Sequence, residues 1–179
     1  MLTADKTALI IVDVQVKLAR VMHDKEALLE NLQKLIKGAQ ALGLPILWLE
    51  QYPQGMGPTI PEVDELLSDV QPISKLSFSC CGNEAFMRAL RALPCTHILI
   101  AGIEAHVCVY QTARDLVGLG YEVEVVVDAV ASRTLGNKQI ALEKIRDVGA
   151  TVTSTETALF ELLGVAEGPA FKRIQEIVK

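Results

Sequence analysis

One stretch limits what the rest of the chain can be: Thr96–Arg114, THILIAGIEAHVCVYQTAR. It begins as a short apolar run, His97–Ala101, and breaks at Gly102. Val109, Thr112, Ala113 and Leu116 then follow at the spacing of one helix face. An apolar run without alternation, bounded by glycine, reads as a strand buried on both faces in a parallel sheet. Cys108 therefore falls at a strand-to-helix turn, near the first turn of the helix. Unpaired N–H groups there favour a thiolate and can hold an oxyanion. This is a suitable place for a cysteine nucleophile.

The same grammar repeats along the chain. Ala8–Val12 is a continuous apolar run ending at Asp13 and reads as the first, central strand. Lys25–Leu42 has apolar residues at helical spacing and a stop at Gly43. Pro45–Leu49 reads as a second strand, and Glu50–Pro61, rich in Pro and Gly, as loop. Glu62–Leu67 is a candidate short helix and Gln71–Lys75 a short third strand. Asn83–Leu93 is helical with Asn83 as its N-cap. After the central strand and its helix come strand Tyr121–Val127, helix Lys138–Val148, strand Ala150–Thr153, and helices Thr155–Leu162 and Ala170–Val178. Strands alternating with helices predict right-handed crossovers and a parallel sheet covered on both faces. Ligands bind such sheets at the carboxyl ends of the strands, near the point where strand order reverses. Asp13, Lys75 and Cys108 each lie at or just past such an end.

Totals narrow the function. A chain of 179 residues, half of them apolar, is one domain over residues 1–179 by the length prior. The 22 acidic and 17 basic residues leave a net charge of −5, which does not favour nucleic acid or an acidic membrane as partner. No apolar stretch approaches the roughly 18 residues of a bilayer span, and the N-terminus lacks a signal-peptide pattern, so a cytoplasmic protein is expected. Cys80, Cys81, Cys95 and Cys108 form neither a disulfide framework nor a zinc-site spacing. G-x-G-x-x-G, P-loop and G-x-S-x-G motifs are absent, which removes the usual grounds for dinucleotide, phosphate and serine-hydrolase readings.

Asp13, following the apolar run Ala8–Val12, has the desolvated setting of a base for a thiol, or else is a helix cap. Lys75 orients Asp13 and stabilises developing negative charge, or else is a surface lysine. His106 lies two residues before Cys108 and cannot readily face its thiol along the same turn; pocket wall and structural roles both stay open. His97 reads as a satisfied core or edge histidine and His23 as exposed.

IIVDVQ at 10–15, EQYPQGMGPT at 50–59, SKLSF at 74–78, AGIEAHVCVYQTA at 101–113, VVVDAVASR at 125–133 and the terminal FKRIQEIVK together resemble the isochorismatase-like hydrolase (cysteine hydrolase) superfamily. The resemblance covers nearly the whole chain and is closest to the isochorismatase domain-containing branch. It implies a three-layer α/β/α sandwich with a six-stranded parallel, Rossmann-like sheet. It also implies an Asp13–Lys75–Cys108 triad and a non-proline cis peptide at Ile103–Glu104. The backbone N–H groups of Glu104 and Cys108 would form an oxyanion hole. The implied reaction is hydrolysis of an amide-like C–N bond in a small molecule through a thioester, with no cofactor and no metal. Nicotinamidases carry an Asp and paired histidines for a metal after the second strand. Glu50–Pro58 has no histidine, which weighs against both metal and nicotinamide. Leu18 stands where the family commonly has Phe. By proximity to these motifs the expected pocket wall is Gln15, Leu18, Tyr52, Phe78, His106 and Val107.

Two other readings are compatible with the residues. One is a non-catalytic scaffold or small-molecule binding member of the fold. The other is a redox-sensing thiol protein, which needs a resolving cysteine near Cys108. A homo-oligomer, dimer or tetramer, is expected in either case, with the 50–61 loop packing against another subunit rather than closing over the pocket.

Overall fold

Leu9 and Ile11 pack on one side of the first strand while Ala8, Ile10 and Val12 pack on the other, all essentially inaccessible to solvent. Successive side chains of a strand point to opposite faces, so a run that is apolar at every position needs a cover on each side. The computed structural model, which describes residues 2–179, supplies both. In chain order the elements are β1 (Thr7–Val12), α1 (Val16–Ala19), α2 (Lys25–Ala41), β2 (Ile46–Gln51), α3 (Pro53–Met56) and α4 (Pro61–Asp64). Then come β3 (Ile73–Lys75), a 3₁₀ turn (Cys80–Gly82), α5 (Glu84–Arg91), β4 (His97–Ile103) and a wide π turn (Ala105–Val109). The chain ends with α6 (Tyr110–Gly118), β5 (Glu122–Ala131), α7 (Leu135–Asp147), β6 (Thr151–Thr153), α8 (Thr155–Leu163) and α9 (Gly168–Val178).

The six strands form one all-parallel sheet in the order β3-β2-β1-β4-β5-β6. Leu28, Leu32, Leu35 and Ile36 of α2, Leu159 of α8 and Ile174 of α9 fill one face. Phe86 and Leu90 of α5, Leu116 of α6 and Ile145 of α7 fill the other. Each fully buried Leu, Ile or Phe contributes about 1.5–3 kcal/mol. Strand order reverses between β1 and β4, so the crevice above their carboxyl ends is the natural ligand position.

Several boundaries differ from the sequence expectation. β2 continues through Glu50 and Gln51, expected as loop, because they pair with Ser74 and Lys75 of β3. β5 continues past Val127 to Ala131. Asp128 is tolerated there because its Oδ1 accepts the Thr155 N–H and hydroxyl, both at 2.9 Å, tying β5 to the start of α8. α7 begins at Leu135 rather than Lys138, with the Thr134 hydroxyl accepting the Asn137 N–H. The loop after β2 is not structureless: it holds α3, a bridge between Thr59 and Gln15, and the start of α4. Asn83 does cap α5, accepting the Phe86 N–H at 3.0 Å.

Gly102 is fixed by close approach. Its φ is +112°, and a Cβ there would lie 2.1 Å from the Val12 carbonyl oxygen of β1. The β4–β5 register also shifts beside it. Only glycine meets both conditions, and the last residues of β1 and β4 are thereby drawn together.

Candidate active site

β1 delivers Asp13. The residue turns out of the strand with φ 52°, a left-handed conformation that Asp tolerates better than most residues. Its N–H donates to Leu49 O at 3.1 Å and its carbonyl accepts the Gln15 N–H at 2.8 Å. β3, two strands away, delivers Lys75. Its Nζ donates to Asp13 Oδ2 at 2.7 Å, Gln51 Oε1 at 2.7 Å, Phe78 O at 3.1 Å and Ser77 O at 3.2 Å. The pair is withdrawn from water, with side-chain exposures of 0% for Lys75 and 2% for Asp13. A buried ion pair survives only where further hydrogen bonds satisfy it, and the Lys75 cradle provides them. Asp13 Oδ1 has no hydrogen-bond partner among the described residues and remains an open acceptor.

β4 delivers Cys108. After Ile103 the Ile103–Glu104 peptide is cis, as the resemblance implied. The Glu104 carbonyl accepts the N–H groups of Val107 and, five residues on, Val109, which makes the turn wider than an α-helix. Such turns recur at functional sites. Cys108 and Asp13 both line one cavity of about 410 Å³, within the range of small-molecule sites. Gln15, Leu18, Phe78, Glu104 and Val107 line it too.

Electrostatics revises one expectation. Burial, and then repulsion from the Asp13 carboxylate, pushes the Cys108 thiol well above its ordinary range despite the Lys75 charge nearby. That direction is opposite to the one expected at a helix start; the first turn is bulged, and a carboxylate lies beside the sulfur. Burial likewise raises the Asp13 carboxyl, with Lys75 opposing it. Burial also lifts Cys80 to about 12 and Cys81 to about 11. The redox reading thus lacks a preformed thiolate at three of its cysteines.

Two expected wall residues fall elsewhere. Tyr52, held in a left-handed conformation by its N–H bond to Lys75 O, is half exposed and lines a neighbouring cleft. His106 lies away from the cavity because its Nδ1 meets Ser132 Oγ at 2.9 Å, with Glu104 Oε2 at 3.6 Å. His97 is a nearly buried strand residue, 2.8 Å from Glu122 on the adjacent strand. Gln51, Met56, Ile103 and Arg133 line the cavity without having been anticipated. Arg133 Nε donates to Glu104 Oε1 at 3.1 Å. Arg133 lies within the VVVDAVASR motif and Met56 within EQYPQGMGPT, but neither motif marks them as cavity residues. Nor does the 50–61 loop stand clear of the pocket. Gln15 fastens it, its Nε2 donating to Gln51 O at 3.0 Å and Gly57 O at 2.7 Å while its Oε1 accepts the Gln51 N–H at 2.8 Å. The loop therefore walls the cavity of its own chain through Met56. Among the described residues no three His, Cys, Asp or Glu side chains converge to hold a metal ion, and no helix is long and apolar enough to cross a membrane.

Comparison with known proteins agrees with this architecture. The structure of MAR1 ribonuclease from Caenorhabditis elegans superposes with a TM-score of 0.93 at 34% identity, covering 99% of this chain and 91% of that one. Isochorismatase domain-containing protein 2 of Bos taurus is 38% identical over 172 residues, 96% of this chain and 82% of its own length. Isochorismatase domain-containing protein 1 of Danio rerio is 40% identical over 149 residues, 82% of this chain; the match spans only about half of that relative, 52%. The isochorismatase domain matches residues 7–157, from the first residue of β1 into α8, so every strand and the whole Asp13–Lys75–Cys108 cluster lie inside it. The chain belongs to the isochorismatase family.

Proposed function

We propose that the protein is a metal-independent thiol hydrolase that cleaves an amide-like C–N bond of a small molecule, with Asp13, Lys75 and Cys108 as its catalytic residues. One observation carries the reading: an open carboxylate oxygen and a thiol share a small-molecule-sized cavity, with a fully buried ammonium behind the carboxylate. A scaffold has no use for so costly an arrangement.

Both acids are raised, so proton transfer and attack are coupled. Asp13 takes the Cys108 proton as the sulfur adds to the carbonyl carbon. Negative charge passes from the carboxylate through sulfur to the carbonyl oxygen, and Lys75 remains beside it throughout. The N–H groups of Glu104 and Cys108 receive the oxyanion. Protonated Asp13 then gives its proton to the departing nitrogen, leaving a thioester on Cys108. Water activated by Asp13 cleaves the thioester, releasing the acid and restoring the thiol.

The ribonuclease named for the Caenorhabditis elegans relative is the competing activity. A net charge of −5 favours a small substrate over a polyanion. The test is ammonia release from a panel of short aliphatic and aromatic primary amides, with intact-mass detection of the acyl adduct and a parallel single-stranded RNA digestion. Amide turnover lost in both Cys108→Ala and Asp13→Asn is the expected result. RNA cleavage, or amide turnover that survives Cys108→Ala, sinks the proposal.

A further inference from the structure

Glu50 is a buried carboxylate, 7% exposed, that the mechanism above does not use. It is the penultimate residue of β2, between the strands that carry Asp13 and Lys75. Asp13 N–H donates to Leu49 O, so the base sits directly beside the Leu49–Glu50 peptide. Oε1 of Glu50 accepts both the N–H of Thr59 at 2.7 Å and its hydroxyl at 2.9 Å. Among the described residues no cation lies within ion-pair distance of it; the buried cation of the site, Lys75, is committed to Asp13, Gln51, Ser77 and Phe78. A buried carboxylate without a counter-charge is costly, and a neutral Gln would serve the Thr59 bonds equally well. Local rules are broken in this way at functional sites.

We propose that Glu50 is a positioning residue of the site, acting in two ways. Its oxygen ties Thr59, and with it the cavity-walling 52–59 segment, to the end of β2. Its negative charge acts on Asp13, so that the base keeps its affinity for the thiol proton although Lys75 is bonded to it. The second role rests on the function proposed above; the first does not. Burial raises the Asp13 carboxyl most and Lys75 opposes it; the Glu50 carboxylate adds the smallest part of the rise. The charged or titratable groups around Asp13 are Lys75 of β3, Glu104 just before the π turn, Cys108 within it, Cys80 of the 3₁₀ turn, Arg133 after β5, and Glu50 itself.

The experiment is carboxyl ¹³C NMR titration of aspartate-labelled protein, the Asp13 resonance being assigned from Asp13→Asn, in wild type, Glu50→Gln and Glu50→Asp. Glu50→Gln keeps an acceptor for Thr59 and loses the charge, so the Asp13 midpoint moves to lower pH while the fold holds. Glu50→Asp keeps the charge on a shorter arm, so the midpoint stays near wild type while protease cutting in 52–59 increases. An Asp13 midpoint unchanged in Glu50→Gln overturns the charge role. If Glu50→Gln fails to fold, Glu50→Asp decides: a midpoint displaced to lower pH despite the retained charge overturns the proposal. This readout does not depend on turnover. A failed amide screen with a shifted midpoint removes the hydrolase reading alone, and an unshifted midpoint with active enzyme removes Glu50 alone.

Discussion

Lys75→Met tests the site through stability. The methionine fills similar volume and removes the cation from Asp13 Oδ2, 2.7 Å away. With exposures of 0% and 2% the pair gains nothing from solvent screening, so no discount applies. Removing one partner of a buried pair costs about 3–5 kcal/mol because the other charge is left uncompensated. Gln51 Oε1 and the carbonyls of Ser77 and Phe78 lose their donor as well. Protonation of Asp13 limits the loss, since its carboxyl is already raised by burial. The net expectation is about 4 kcal/mol at neutral pH. At about 2–4 °C per kcal/mol for a chain of this size, that is a fall in Tm of roughly 8–16 °C. In the variant the folded-state pKa of Asp13 rises further above its ordinary value of 3.8. A group raised on folding supports the fold below its unfolded value, and that support is lost as pH climbs through its folded value. The deficit should therefore be smallest near pH 4 and widen as pH increases. The assay is urea unfolding across pH, with Asp13→Asn and the double variant completing a cycle. Asp13→Asn should recover a large part of the loss in the Lys75→Met background. A deficit under about 1 kcal/mol, or strict additivity in the cycle, refutes the coupled buried pair.

Two further outcomes follow from the geometry. Cys108 alkylation by iodoacetamide, followed by peptide mass, should be slow at neutral pH and climb on the alkaline side, because burial and Asp13 hold the thiol up. Asp13→Asn removes the repelling charge and should shift that rise to lower pH while abolishing turnover; identical profiles would show that the two groups do not interact. Gly102→Ala places a methyl 2.1 Å from a backbone oxygen at φ +112° and should cost more than about 2–3 kcal/mol or yield insoluble protein. A Tm within a few degrees of wild type would contradict the close approach of β1 and β4.

What the sequence by itself determined is whatever depends on neighbours along the chain. Apolar runs such as Ala8–Val12 have to be buried on both faces, and Leu28, Leu32, Leu35 and Ile36 have to form a helix face, because strand and helix periods fix where side chains point. Asp13, Lys75 and Cys108 were legible as strand-end residues, and the motif resemblance joined them. Tertiary structure decided the rest. Glu50 and Gln51 look like loop residues until β3 pairs with them, and Gln51 becomes an acceptor for Lys75 only through that pairing. Tyr52 and His106 are near the motifs in sequence, yet their local turns aim them elsewhere. Met56 and Arg133 reach the cavity from distant segments. The direction in which the Cys108 thiol shifts is non-local for the same reason: a helix start is a local property, whereas burial and the charge of a residue 95 positions earlier are not. Ionisation energies depend on distance through space and on water excluded by packing, and no one-dimensional pattern records either.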